Sequence, residues 1–184
     1  MSRKRLILVT GMPGSGKTSI SNFAKEEGFE TISMGDIIRY IAIQEGLEPS
    51  KRNLGFIAER VRRENGEAAV ALRCIKKMSH EESEMVVVDG IRSLEEVEAF
   101  REAYGHAVLL AVHASPFTRF TRLKNRGRKD DPVEWDPFRE RDKRELGFGL
   151  GSAISMADCM IINEGSLPSL KKAFTKFVEC LKRG

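Results

Sequence analysis

Leu6-Ile7-Leu8-Val9-Thr10-Gly11-Met12-Pro13-Gly14-Ser15-Gly16-Lys17-Thr18 is the stretch on which the reading of the whole chain turns. Leu6 to Val9 is a short, continuous apolar run brought to a stop near Gly11, the pattern of a strand covered on both faces in a parallel sheet. Gly11 to Thr18 matches G-x-x-x-x-G-K-[ST], and a helix-length segment, Lys17 to Glu26, follows at once. Glycines at these places let successive backbone N–H groups turn inward around a polyphosphate, and the helix behind them aims the positive end of its dipole at the same anion. The expected binding loop comprises Gly11, Met12, Pro13, Gly14, Ser15, Gly16, Lys17 and Thr18, with Lys17 adding a point charge.

Similar apolar runs recur at Met85 to Val88, Ala107 to Val112 and Cys159 to Ile162, and a short strand is expected near Thr31 to Ser33. Helix-length segments lie between them: Leu54 to Arg63, Glu67 to Met78, Leu94 to Ala103 and Pro116 to Asn125. Strands alternating with helices predict right-handed crossovers and a three-layer α/β fold in one domain, residues 1–184. Ser115 before Pro116 reads as an N-cap with proline in the first turn, and Ser93 with Glu96 as a capping box. The last helix, Leu167 to Leu181, carries one apolar stripe at Leu170, Phe174, Phe177, Val178 and Leu181. Two segments break the alternation. The long interval before Met85 predicts a helical excursion over about residues 35–80, and Gly127 to Pro137, rich in charge, proline and glycine, reads as a surface loop or lid.

Lysine and arginine exceed aspartate and glutamate by four in 184 residues, which favours anionic ligands without naming one. Cys74, Cys159 and Cys180 form no CxxC pair, so neither a disulfide framework nor a zinc site is expected, and a reducing cytoplasm suits them. Arg3-Lys4-Arg5 precedes an apolar run too short for a signal peptide, and no stretch approaches the roughly 20 apolar residues that cross a bilayer. The expectation is a soluble cytoplasmic protein with no membrane partner.

Ser33-Met34-Gly35-Asp36-Ile37-Ile38-Arg39 resembles the S-x-G-D-x-x-R segment of the adenylate kinases and other nucleoside-monophosphate kinases. By that resemblance Arg39 would clamp an acceptor phosphate, a task that suits a planar guanidinium. Asp89-Gly90-Ile91-Arg92 is similar to the D-G-[FY]-P-R signature of the same family, with the proline missing. The likeness implies that Asp89 organises Mg²⁺ through water and that Arg92 touches the acceptor. A carboxylate at the carboxyl end of a strand also lies in the crevice where open α/β sheets bind ligands.

Arg119, Arg122 and Arg126 share one helical face. The segment resembles the lid entry of nucleoside-monophosphate kinases and the R-L-x-x-R element of dephospho-coenzyme A kinase, which implies that Arg122 and Arg126 close over a triphosphate from a lid of about residues 126–146. A nucleic-acid patch is the competing reading of such arginines. Asp130, Asp131, Glu134, Asp136, Glu140, Asp142 and Glu145 would repel a duplex and so oppose it. Ala157 to Leu167 is similar to the A-D-x-V-I-x-N-x-G-S-L segment of dephospho-coenzyme A kinase, which implies that Asn163 lies beside an adenine.

Together these segments identify the chain as a member of an uncharacterised archaeal family of P-loop nucleotide kinases related to both groups. The resemblance implies a five-stranded parallel sheet, ATP with Mg²⁺ held by Thr18 and Asp89, and transfer of the γ-phosphoryl group to a small nucleotide-like acceptor. Lys17, Asp36, Arg92, Arg122 and Arg126 are the candidate catalytic residues, and Asp36, Arg39 and Arg92 the candidate acceptor contacts. A phosphate acceptor, a nucleoside monophosphate, is the leading expectation and would rely on Arg39 and Arg92, with a ribose hydroxyl as the alternative. A ribose hydroxyl would need a general base, for which Asp36 is placed. The guanine-reading N-K-x-D sequence of GTPases and the strand-ending acid pair of motors are both missing from the chain, which favours a kinase over either. A nucleotide-switched binding protein remains the non-enzymatic alternative, and the sequence leaves acceptor identity and oligomeric state open.

Overall fold

The computed structural model describes residues 5–78, 83–128 and 131–183. Its elements run β1 (Arg5–Thr10), α1 (Lys17–Glu26), β2 (Glu30–Ser33), α2 (Met34–Gln44), α3 (Lys51–Asn65), α4 (Ala69–Met78), β3 (Met85–Ile91), α5 (Leu94–Tyr104), β4 (Ala107–His113), α6 (Pro116–Arg126), α7 (Trp135–Gly147), α8 (Leu150–Ser155), β5 (Cys159–Ile162) and α9 (Leu167–Arg183). The five strands form one sheet in the order β2-β3-β1-β4-β5, and every neighbouring pair is parallel. β1 lies in the middle because Leu6 to Val9 offer apolar side chains to both faces and leave no wet side.

Alternation along the central strands splits the core in two. Leu6 and Leu8 of β1, with Val86, Val88 and Leu109, pack beneath residues of α2 to α5, including Ile38, Ile57, Val70 and Phe100. Ile7 and Val9, with Val87, Leu110 and Val112, pack beneath Ile20 and Phe23 of α1 and the Leu170-Phe174-Val178 stripe of α9. The sheet is therefore a middle layer between two helical layers, as the alternating pattern predicts.

Caps fix where several helices begin. The hydroxyls of Ser50, Ser93 and Ser115 accept the backbone N–H groups of Asn53, Glu96 and Thr118. Glu96 is redirected from the ordinary capping box. Its Oε2 accepts the N–H of Arg92 at 2.8 Å and its Oε1 receives Arg62 Nη2 at 2.6 Å, with Arg62 and Glu96 only 4% and 0% exposed. The Arg62 guanidinium also lies 5.6 Å from the Phe148 ring. One buried ion pair thus ties the excursion helix α3 to α5 and to the chain that follows α7.

Helix α7 starts inside the segment expected to be a loop through Pro137, and residues 129–130 lie outside the described residues. Only Phe138 and Glu145 of α7 are buried, so no apolar stripe marks it. It is anchored instead by rings: Phe120 of α6 lies 5.2 Å from Trp135 and 5.5 Å from Phe138. Among the described residues, no helix is long and apolar enough to cross a membrane.

Two predictions follow from this packing. Glu96→Leu leaves a buried guanidinium uncompensated and should cost about 3–5 kcal/mol in a urea melt, much of it recovered in the Arg62→Met/Glu96→Leu double variant. Equal losses in single and double variants would contradict the coupling. Cys74 is buried with its thiol pKa pushed up to about 12, mainly by burial, whereas Cys159 and Cys180 are exposed. A thiol-reactive dye should therefore label Cys159 and Cys180 in the native chain and reach Cys74 only in denaturant.

Candidate functional site

The loop Gly11–Gly16 leaves the carboxyl end of β1 and enters α1 at its N-cap, Gly16, where φ is 113°. A Cβ there would collide with the Asn163 amide nitrogen, so both the backbone angle and the contact require glycine. Unlike α3, α5 and α6, α1 has no side-chain cap, and its first turn carries no acidic residue. Its leading N–H groups and dipole are thus left facing the loop interior, the arrangement that receives an anion.

The loop is clamped from outside. Asn163 Nδ2 donates to Ser15 O at 2.7 Å, and the Asn163 N–H donates to His113 O at 2.7 Å. Arg119, buried at the start of α6, donates through Nη1 to Pro13 O at 3.2 Å and through Nε to Ala114 O at 3.1 Å. Arg122 donates through Nη1 to Asn163 O at 2.9 Å and through Nη2 to Gly165 O at 3.3 Å. Glu164 accepts from the Ser115 N–H and, at 2.6 Å, from the Thr118 hydroxyl. The loop after β5, whose residues Asn163 to Ser166 were expected beside a base, therefore fastens the Gly11–Gly16 loop to α6.

Lys17 lies inside this arrangement, its Nζ donating to Gly11 O at 2.6 Å and Met12 O at 3.3 Å. Burial pushes its pKa down, opposed chiefly by the charges of Asp89 and Glu145. Asp89 sits at the carboxyl end of β3, opposite Val9 and just before an irregularity in the β1–β3 pairing at Gly90, where φ is 101°. Burial pushes the Asp89 carboxyl up, against the pull of Lys17 and Arg92. Its Oδ1 and the Ser15 hydroxyl are buried without a hydrogen-bond partner among the described residues. An orphaned buried carboxylate oxygen close to a lysine and a phosphate-type loop fits a water-coordinated Mg²⁺. Thr18, which the motif expects to offer a hydroxyl to such an ion, is exposed in the first turn of α1.

The other expected residues arrive in pairs. Asp36 and Arg39, in the first turns of α2, bond to each other at 2.5 Å with about half of each side chain exposed, and Asp36 acts electrostatically on Asp89. Arg92 pairs through Nε with Glu145 Oε2 at 3.2 Å. Arg126, expected over a triphosphate, forms a bidentate pair with Asp131 at 2.8 and 2.6 Å. Tyr40 and Phe56 are largely exposed, and Trp135 stacks within the α6–α7 aromatic group.

Four residues outside the candidate set, Arg119, Arg141, Asp142 and Glu145, organise the site. Arg119 forms a bidentate pair with Asp142 at 2.8 and 2.6 Å beneath the Phe138 ring, fixing α7 against the loop. That placement carries Arg141 and Glu145 into electrostatic range of Lys17. The common helical face of Arg119, Arg122 and Arg126 was the available signal for the first. Asp142 and Glu145 carry no local signal, because their partners are brought up by the fold.

The Asn163 amide is the link most open to a direct test. Asn163→Ala should destabilise the chain by about 1–3 kcal/mol, the range for a buried hydrogen bond left half made, and weaken polyphosphate binding as the loop loosens. Unaltered melting and affinity would show that the clamp is idle.

Comparison with known proteins agrees with this geometry. A family model described as an AAA domain matches residues 7–146. A UPF0200 protein of Hyperthermus butylicus is 48% identical over 166 residues, covering 90% of this chain and 89% of its own. Among solved structures, TT1252 from Thermus thermophilus superposes with a TM-score of 0.70 at 17% identity, covering 97% of this chain and 98% of its own. A shikimate kinase from Bacteroides thetaiotaomicron gives 0.58 at 17% identity, covering 95% and 98%. The sequence likeness runs through nearly the whole chain and the structural likeness covers nearly all of it, so this protein belongs to the UPF0200 family and has the fold of the P-loop kinases.

Proposed function

We propose that the chain is an ATP-dependent phosphotransferase that passes the γ-phosphoryl group of ATP to a small, nucleotide-like acceptor lying between the α2–α4 excursion and the Asp89–Arg92 turn. The observation that carries this reading is the conjunction of an uncapped α1 N-terminus, the half-buried Lys17 and the half-buried Asp89, whose Oδ1 is buried without a hydrogen-bond partner among the described residues.

In this reading the backbone N–H groups of Gly11 to Thr18 receive the polyphosphate and Lys17 turns from the loop carbonyls to its β- and γ-oxygens. Thr18 and Asp89 would hold Mg²⁺, which neutralises charge on those oxygens. Helix α7 acts as a lid that excludes water, with Arg141 brought to the transferring group and Arg122 and Arg126 bordering the nucleotide. Asn163 holds the loop in shape from the adenine side. On the acceptor side, Arg39 and Arg92 suit a phosphate monoester such as a nucleoside monophosphate, and Asp36 suits a hydroxyl.

A switch protein would use the same pocket, but the charged pairs gathered opposite it, Asp36–Arg39 and Arg92–Glu145, favour a second ligand and hence transfer. Lys17→Ala should lower acceptor-stimulated ATP turnover by at least about a hundredfold while leaving the melting temperature near that of the parent. Asp89→Asn should lower turnover and flatten its dependence on Mg²⁺ concentration. An acceptor library that never accelerates ATP consumption, with slow hydrolysis alone remaining, would overturn the kinase reading.

A further inference from the structure

Arg92 is anchored at every point except the tip of its side chain. Its N–H donates to Glu96 Oε2 at 2.8 Å, and Glu96, 0% exposed, is itself held by Arg62. Its carbonyl lies beside Gly149, where a Cβ would come within 3.7 Å of that oxygen. Its Nε faces Glu145 Oε2 at 3.2 Å. Among the described residues neither terminal nitrogen, Nη1 or Nη2, makes a hydrogen bond, and the side chain is 33% exposed. The guanidinium is in electrostatic range of Lys17 and Asp89, so its two unengaged prongs belong to the crevice.

The carboxylate that holds Nε comes from α7. Phe138, Asp142 and Glu145 stand at i, i+4 and i+7 and so share one face of that helix. Asp142 takes the bidentate pair from Arg119, which also donates to Pro13 O of the Gly11–Gly16 loop. Glu145, a turn further on, takes Arg92. One helical face thus reaches the nucleotide loop with its first acid and the Asp89–Arg92 turn with its second. Glu145 also acts on Lys17, so it keeps a counter-charge when an anion occupies the Arg92 prongs. Its side chain is only 12% exposed and has little room to swing aside. An arginine held at Nε has surrendered much of its rotamer freedom before a ligand arrives, which lowers the cost of gripping an oxyanion with the remaining fork.

We infer that Glu145 is a positioning residue for the acceptor, presenting Arg92 as a preorganised fork to an anionic group of that molecule. This rests on the kinase reading above and deepens it by making the acceptor contact depend on α7. Glu145 touches no reactant and acts through Arg92, as Glu96 does for the Arg92 main chain. Because Arg119 joins α7 to the Gly11–Gly16 loop, the fork is complete only with α7 seated against the nucleotide side.

The test titrates inorganic phosphate, by calorimetry, into the full chain with its nucleotide site filled by a non-hydrolysable Mg-ATP analogue. The parent is compared with Arg92→Ala, Glu145→Ala, Glu145→Gln and the double variant Arg92→Ala/Glu145→Ala, and each is also melted in urea. Arg92→Ala should weaken phosphate binding by about tenfold or more, and Glu145→Ala by about fivefold although it removes a negative charge. Glu145→Gln keeps an oxygen for the Nε–H and should bind phosphate at least as tightly as the parent. The double variant should be no weaker than Arg92→Ala, since the effect of Glu145 passes through that arginine. Phosphate affinity in Glu145→Ala equal to or above that of the parent overturns the inference, and a loss confined to the urea melt would assign Glu145 to docking α7 alone. A double variant weaker than Arg92→Ala, or a parent complex that binds no phosphate, overturns it too, and all these results leave the kinase reading standing. Failure of the parent to bind the ATP analogue would instead remove the kinase reading and the inference with it.

Discussion

The structure depends on a bend of main chain, Gly11 to Gly16, held open at the carboxyl end of the central strand. A loop that collects N–H groups toward one point is poorly satisfied by itself, because its donors converge and its carbonyls turn outward. The outward carbonyls are where the fold intervenes. Asn163 takes Ser15 O, Arg119 takes Pro13 O, and Lys17 covers Gly11 O and Met12 O from within. Each of these groups comes from a different part of the chain, so the cradle keeps its shape only when β5, α6 and α1 are all in place.

The same residues carry that constraint outward. Arg119 also binds Asp142 and packs under Phe138, so the position of α7 is set by the residue that steadies the loop. Arg122 joins α6 to the loop before α9, and Glu164 caps α6 from that loop. On the other side of the crevice, Glu96 holds the Arg92 amide while neutralising Arg62 of the excursion. The loop at the foot of α1, helix α7 and the α2–α4 excursion are thus linked by short polar bridges between otherwise separate layers, and motion of one should be felt by the others.

The sequence disclosed what is local. The strand, the glycines and Lys17 lie within a few residues of one another, and their chemistry requires that spacing. The caps at Ser93 and Ser115 and the apolar runs of β1, β3, β4 and β5 were legible for the same reason. Helix α7 was not, because it is charged along most of its length, contains Pro137 in its first turn and is held by three rings and an ion pair rather than by a stripe. Glu145 was visible only as one more acid among many; its meaning comes from Arg92, which lies far away in the chain. Asn163 was legible only through the family resemblance, as a loop residue expected near a nucleotide, while its bond to Ser15 O depends on how β5 sits at the sheet edge beside β4.

The most direct measurement of the central claim is amide hydrogen exchange across residues 11–20, recorded with and without a non-hydrolysable Mg-ATP analogue. The account predicts that protection rises sharply at the N–H groups of Gly14 to Thr18 on binding. Protection of the β2 and β5 edges should change little. Binding of the analogue with no change at those amides would contradict the account, since the triphosphate would then be held somewhere other than the bend at the foot of α1.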